Sequence, residues 1–150
     1  MFTEPLAGKR EASVRDRRTK IDWAIEMEQL LSTRYAAADK IILVCDNLNT
    51  HARGAFYEAF PAEKAREIVK RNEFHYTPKH GSWLNIAECE LSAMTNQCVK
   101  NRRFANVELL TQETQAWAKK THQTQRGVNW QFSIEKARQK LKSIYPMIEC

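Results

Sequence analysis

Several things are missing from this 150-residue sequence, and each absence narrows the field. No apolar run approaches the length of a membrane span, so a spanning helix is not expected. The first ten residues, MFTEPLAGKR, hold no apolar core of the kind a secretory signal requires. Cys45, Cys89, Cys98 and Cys150 are scattered without a CxxC pair, which argues against a disulfide framework or a zinc ribbon and fits reduced thiols in a cytoplasm. There is no internal repeat and no low-complexity segment, so repeat architectures are excluded. What remains is an ordinary composition, 43% hydrophobic and 28% charged, in a length that suits one domain with a real core. The net charge of +6 and a pI near 9.3 fit a polyanionic partner, although charge alone does not establish one.

The stretch around which the rest is arranged is Lys40 to His51, KIILVCDNLNTH. Ile41 to Cys45 are apolar without helical or alternating period, which predicts a short strand covered on both faces. The run stops at Asp46, and Asn47, Asn49 and Thr50 follow as turn formers. A carboxylate thus stands at the carboxyl end of a strand, where open α/β sheets place their sites. Taken alone, Asp46 and Asn47 are better explained as turn-shaping residues.

Upstream, Met1 to Thr3 and Glu11 to Arg15 read as the strands of a hairpin around a Pro5 to Gly8 turn. Arg15 to Lys20, RDRRTK, is a first basic cluster. Thr19 or Asp22 can cap a helix reaching about Arg34, with Ile21, Ala24, Ile25, Glu28 and Leu31 on one stripe, widened by Trp23, Met27 and Leu30. Strand, helix, strand in this order predicts a crossover unit with the helix on the sheet. Beyond Asp46, Arg53 to Phe60 and Ala62 to Arg71 read as two helices split by Pro61, and Glu73 to Tyr76 as a strand ending at Thr77-Pro78. After the polar loop KHGSW, Leu84 to about Cys98 reads as a helix with Leu84, Ala87, Leu91, Met94, Thr95 and Cys98 on its apolar stripe. Glu88 and Glu90 fall on the two flanks of that stripe, and spacing does not choose between them. Lys100 to Arg103, KNRR, is a second basic cluster. Asn106 can cap a helix from Val107 to about Lys120, with Leu109, Leu110, Thr114 and Trp117 inward. After the long loop HQTQRGVNWQF, Ser133 opens a last helix from Ile134 to about Tyr145 with a basic face of Lys136, Arg138, Lys140 and Lys142.

Among other candidates, His51, His75, His80 and His122 offer no pair with helical ligand spacing and an acidic partner, which disfavours zinc. Trp83 could stack on a base, but helix-start packing explains it better.

Asp46-Asn47 behind an apolar strand, His51 just beyond, a second strand, a Thr-Pro loop, and then Leu84-Asn85-Ile86-Ala87-Glu88 opening a helix resemble the mariner-like DDE transposases, most closely the bacterial insertion-sequence branch of IS-six-thirty type. In that family an apolar-Asp-Asn strand end carries the second acidic residue, and a Leu-Asn-Pro-x-Glu segment carries the third. Here Ile86 stands where the family has Pro. The resemblance selects Glu88 over Glu90 and extends from residue 1 through the NWQF segment into the last helix.

It implies a ribonuclease-H-like α/β fold, a mixed sheet flanked by helices, and a single catalytic domain over residues 1–150 with a helical tail from about residue 105. It implies Asp46 and Glu88 as catalytic and metal-binding carboxylates for Mg²⁺ or Mn²⁺. Such hard cations prefer carboxylate oxygens, and two ions about 3.5–4 Å apart cut and join DNA strands. Asn47, His51 and Asn85 are implied as supporting or DNA-contacting neighbours, and Arg15, Arg17, Arg18, Lys100, Arg102 and Arg103 as phosphate contacts. DNA, both transposon ends and target, is the implied partner, with self-association as a further expectation. No membrane and no small-molecule substrate is expected, and the implied location is the bacterial cytoplasm at the nucleoid. The family needs a third carboxylate on an earlier strand. Neither Asp16, in a basic hairpin end, nor Asp22, at a helix start, follows a buried apolar strand. The expectation is therefore an N-terminally truncated catalytic domain, inactive alone. The alternative is a non-catalytic remnant that binds DNA or a transposase.

Overall fold

The computed structural model of the protein describes residues 1–78, 84–124, 127–129, 133–140 and 142. His80, Trp83, the NWQF residues 130–132, Tyr145 and Cys150 lie outside them.

A short antiparallel hairpin comes first, β1 (Phe2–Glu4) against β2 (Lys9–Glu11), with Phe2 opposite Glu11. The second strand thus starts earlier than the sequence predicts, because Gly8 adopts a positive φ of 66° and closes the turn there. Thr19 then starts α1 (Lys20–Ser32) with a full capping box. Its hydroxyl accepts from the Asp22 N–H at 3.1 Å, and its own N–H donates to the Asp22 carboxylate at 2.9 Å. The link to the next strand is pinned from outside: Arg71 Nη2 donates to the Tyr35 carbonyl at 2.7 Å and to the Ala38 carbonyl at 2.9 Å.

β3 (Ile41–Cys45) follows, then α2 (Gly54–Ala59), α3 (Ala62–Arg71) and β4 (Asn72–Tyr76). β3 and β4 pair in parallel from Ile41 opposite Asn72 to Cys45 opposite Tyr76, so α2 and α3 form the crossover. Ala24, Met27 and Leu31 of α1, Cys45, Ala55 and Phe56 of α2, Ala65 and Ile68 of α3, and Phe74 make one buried cluster.

A second cluster lies around α4 (Ile86–Met94), which continues into a π-helical turn, Thr95–Val99, and packs on α5 (Val107–Gln123) through Met94, Cys98, Trp117 and Ala118. Asn85 and Asn106 cap α4 and α5 by accepting from Ala87 N–H at 3.1 Å and Leu109 N–H at 2.9 Å. α6 (Ile134–Lys140) has no buried residue, and Ser133 Oγ accepts from Lys136 N–H at 3.3 Å at its start.

The chain is mixed α/β, as the order of elements predicts, but three expectations need correction. β3 is not covered on both faces: Ile42 is 68% exposed and Val44 55%, while Cys45 is buried. The helices pack on one face only, and on the other Ile42 and Val44 lie beside Glu73 and His75 of β4, where Glu73 also holds Lys40 at 3.0 Å. An all-apolar run hid an alternation that neighbours, not composition, impose. Second, the described residues form two two-stranded sheets rather than one mixed sheet, and β3 pairs with β4 alone. Third, the buried stripe of α4 is not Leu84, Ala87 and Leu91. It runs through Glu90, Met94 and Cys98, at intervals of four, while Leu91 is 46% exposed. A charged residue belongs to the buried stripe because a buried arginine meets it.

The one-sided packing of β3 has a direct test. Phe56→Ala, in the centre of the first cluster, is expected to cost about 3–5 kcal/mol in urea unfolding. Ile42→Thr is expected to change stability by less than about 1 kcal/mol. A large loss at Ile42 would mean that both faces of the strand are packed.

Candidate active site

β3 delivers Asp46 to the first position beyond its carboxyl end, and the return of the loop is closed by the His51 N–H on the Leu48 carbonyl at 2.9 Å. His51 Nδ1 donates to Asp46 Oδ1. The same imidazole packs against Trp23 of α1, with ring centroids 5.3 Å apart, and the His51 carbonyl accepts from Tyr76 Oη at 3.1 Å. Contacts from α1, the β3 loop and β4 thus fix one ring beside one carboxylate.

Glu88 arrives from the other cluster, in the first turn of α4, with its N–H on the Asn85 carbonyl at 3.0 Å. Glu90, two residues on, is turned about 200° away around the helix. It is buried and accepts two hydrogen bonds from Arg10, at 2.5 Å from Nε and 2.8 Å from Nη2, while Arg10 Nη1 donates to the Gly8 carbonyl at 2.7 Å. The two glutamates that sequence spacing left equivalent are therefore distinct. Glu90 is an interior counter-ion, and Glu88 faces a cleft.

That cleft, of about 910 Å³, is lined by Asp46, Thr50, His51, Asn85 and Glu88, together with Met1, Phe2 and Leu43 to Cys45. Asp22 and Glu26 also reach it, but both have partners. Asp22 holds the α1 cap, and its hydrogen bonds with the Thr19 side chain and backbone keep its carboxyl below the usual range. Glu26 accepts from Arg15 Nε at 2.5 Å. Burial, and then the neighbouring Asp46, push the Cys45 thiol up to about 11, so it stays protonated at neutral pH and offers no thiolate. Asp46 and Glu88 remain as the carboxylates directed at the cleft, and hard oxygen donors of this kind fit a divalent cation such as Mg²⁺. Among the described residues, no three His, Cys, Asp or Glu side chains are grouped so as to hold an ion.

The structure brings Arg15, Arg17 and Arg18 to the wall of this cleft. Arg15 is committed to Glu26 and, at 3.7 Å, to Asp22, whereas Arg17 and Arg18 are exposed and form no ion pair among the described residues. Lys100, Arg102 and Arg103 do not line it. Arg102 is held by Glu113 at 2.9 Å and lies over the Phe104 ring at 5.1 Å. Asn47 is exposed outside the cleft lining, and Asn85 uses its side-chain oxygen as the α4 cap. His75 pairs with Glu73 at 2.9 Å on the open face of the sheet, and His122 Nε2 accepts from the Arg10 N–H at 2.5 Å. Neither histidine reaches the cleft. Sequence reasoning missed Arg10 and the placement of Trp23 against His51. The only signal for Arg10 was Glu90 at four-residue spacing from Met94 and Cys98, a charge on an otherwise apolar stripe.

Carboxylates facing a cleft with cationic walls are the means by which proteins handle phosphodiesters. The chain belongs to the DDE superfamily endonuclease family, whose model matches residues 3–111, a span that includes both Asp46 and Glu88. No curated protein and no solved structure matches it. Membership gives the chain a DDE transposase-type domain, with DNA as the substrate of such domains and divalent metals as their usual cofactors. Among the described residues no helix is long and apolar enough to cross a membrane.

The different positions of the two glutamates predict opposite mutational effects. Glu90→Ala strands a buried guanidinium and should cost about 3–5 kcal/mol in urea unfolding. Glu88→Ala should stay within about 0.5 kcal/mol of the wild type. Equal costs would contradict the separation of roles.

Proposed function

We propose that the protein is part of a metal-dependent DDE strand-transferase domain of the mariner-like insertion-sequence type, built on a ribonuclease-H-like fold, with Asp46 and Glu88 as its two available metal-binding carboxylates. One observation carries this reading. A strand end and a helix start 42 residues apart in sequence direct their carboxylates into one cleft, and Arg17 and Arg18 stand in its wall. When bound, Mg²⁺ or Mn²⁺ supplies an activated oxygen nucleophile and neutralises charge developing on the leaving oxygen.

The chain's own residues supply placement. His51 holds Asp46 in a fixed orientation through Nδ1, and Trp23 fixes the ring in turn. The Asn85 cap fixes the first turn of α4 beneath Glu88. Arg17 and Arg18 are placed to meet phosphate oxygens of a strand lying in the cleft. Lys100, Arg103 and the basic residues of α6 would extend the contact to a longer duplex, as sequence-independent phosphate neutralisation.

Asp22 and Glu26, the further carboxylates at the cleft, are taken by the Thr19 cap and by Arg15, which favours a second statement: these 150 residues bind DNA without cutting it. With two anionic ligands, a strongly hydrated ion is held weakly, and a pair of ions is not held at the spacing that in-line displacement needs. DNA binding without cleavage also describes the alternative of a non-catalytic module, and cleavage separates the two readings from the complete enzyme.

Duplex binding should be sequence-independent and weaken steeply between low and high salt, with Arg17→Ala/Arg18→Ala lowering the slope of log affinity against log salt by about 1–2. Labelled-duplex titrations at several salt concentrations measure this, and salt-independent affinity would sink the reading. Incubation with Mg²⁺ or Mn²⁺ and DNA bearing transposon ends should leave the strands intact. Cleavage that vanishes in Asp46→Asn would show that the site is complete.

A further inference from the structure

We propose that Arg10 is a positioning residue for Glu88, acting through Glu90. This rests on Glu88 being a metal-binding carboxylate, as argued above. The N-terminal half of α4, residues 86 to 91, presents only one buried side chain to the interior, and it is Glu90. Apolar packing takes over later, at Met94 and Cys98. Beyond the Asn85 cap, the fully buried anchor of the turn that carries Glu88 is therefore an ion pair rather than an apolar side chain.

The difference matters physically. Apolar contacts are non-directional and tolerate rotation of a helix about its axis. A guanidinium that meets both oxygens of one carboxylate is a planar fork with one acceptable orientation. Arg10 is itself immobilised. It is 1% exposed, its third donor is on the Gly8 carbonyl at 2.7 Å, and its backbone N–H is on His122 of α5. The fork thus refers the rotation of α4 to the hairpin and to α5 together. Because Glu88 and Glu90 lie on opposite sides of the helix, seating Glu90 inward turns Glu88 outward, into the cleft that holds Asp46. A slip of the helix by one residue would swing Glu88 by about 100° and away from Asp46.

A purely stabilising role predicts something else. A buried ion pair can be replaced by apolar residues of similar size with little loss of stability. Arg10→Met/Glu90→Met should then leave the fold and the site alike unchanged. Under the proposal the fold survives and the site does not. The experiment measures Mn²⁺ affinity by electron paramagnetic resonance on the full chain, with thermal unfolding in parallel. Arg10→Met/Glu90→Met, folded as judged by its melting transition, is expected to bind Mn²⁺ about ten-fold more weakly than the wild type. Arg10→Lys, which keeps the charge but not the fork, should also weaken binding, and Glu88→Gln marks the loss when the ligand itself is removed. A folded double variant with wild-type Mn²⁺ affinity overturns the proposal. If the wild type and Glu88→Gln bind Mn²⁺ alike, the metal reading of Glu88 fails, and the anchor is decided by amide hydrogen exchange of the same double variant. Faster exchange confined to residues 87–91 then supports the anchor, and unchanged exchange there overturns it.

Discussion

The contact on which the second half of the molecule depends is the buried ion pair of Arg10 and Glu90. Moving a guanidinium and a carboxylate out of water is unfavourable unless each finds its partner in good geometry with its remaining hydrogen-bonding capacity met. Arg10 meets these terms through its guanidinium, with two bonds to Glu90 and one to Gly8, and through a backbone bond to His122. The positive φ of Gly8 is what lets the hairpin turn close so that this carbonyl faces the guanidinium of a residue two positions on. A three-residue strand pair, which would be marginal alone, is thereby tied to two helices.

The cleft lies where two separately built clusters meet. The first orients Asp46: Phe56 packs against Trp23 at 5.1 Å, Trp23 against His51, and His51 holds the carboxylate. The second orients Glu88, through the Asn85 cap and through Glu90 on the far side of the helix. Each carboxylate is thus held by elements of its own cluster, and their relation depends on how the clusters abut along the cleft. Met1 belongs to that boundary, since it packs on the second cluster while Phe2 packs on the first. A change in either cluster can therefore disturb the site without touching a carboxylate.

Much of this was legible in the sequence because it is governed by local rules. The Thr19 cap, the break at Pro61, the helix from Ala62 to Arg71 and the Asn106 cap depend on residues within one turn of each other, and all four stand as expected. Asp46 at a strand end was legible for the same reason. The coverage of β3 was not, because whether Ile42 and Val44 are buried is decided by what lies across from them. The stripe of α4 was misjudged for a related reason. Glu90 counts as polar in any periodicity, and only its partner, 80 residues away, makes it an interior residue. Reading the chain as a string left Glu88 and Glu90 equivalent, and burial separates them in three dimensions, with Glu90 inward on Arg10 and Glu88 at the cleft.

The same logic sorts the charges around the cleft. Four carboxylates reach it, and three arginines. Glu26 and Arg15 engage each other and cancel in sign, whereas Asp22, engaged by the helix cap, keeps its negative charge at the cleft. Asp46 and Glu88 remain, together with Arg17 and Arg18. A surface of uniform sign would attract either cations or phosphates. Acidic and basic side chains within one cleft suit a ligand that brings both charges, as a phosphate backbone with its divalent counter-ions does. Pairing within α1 and its cap thus shapes the electrostatics of the cleft.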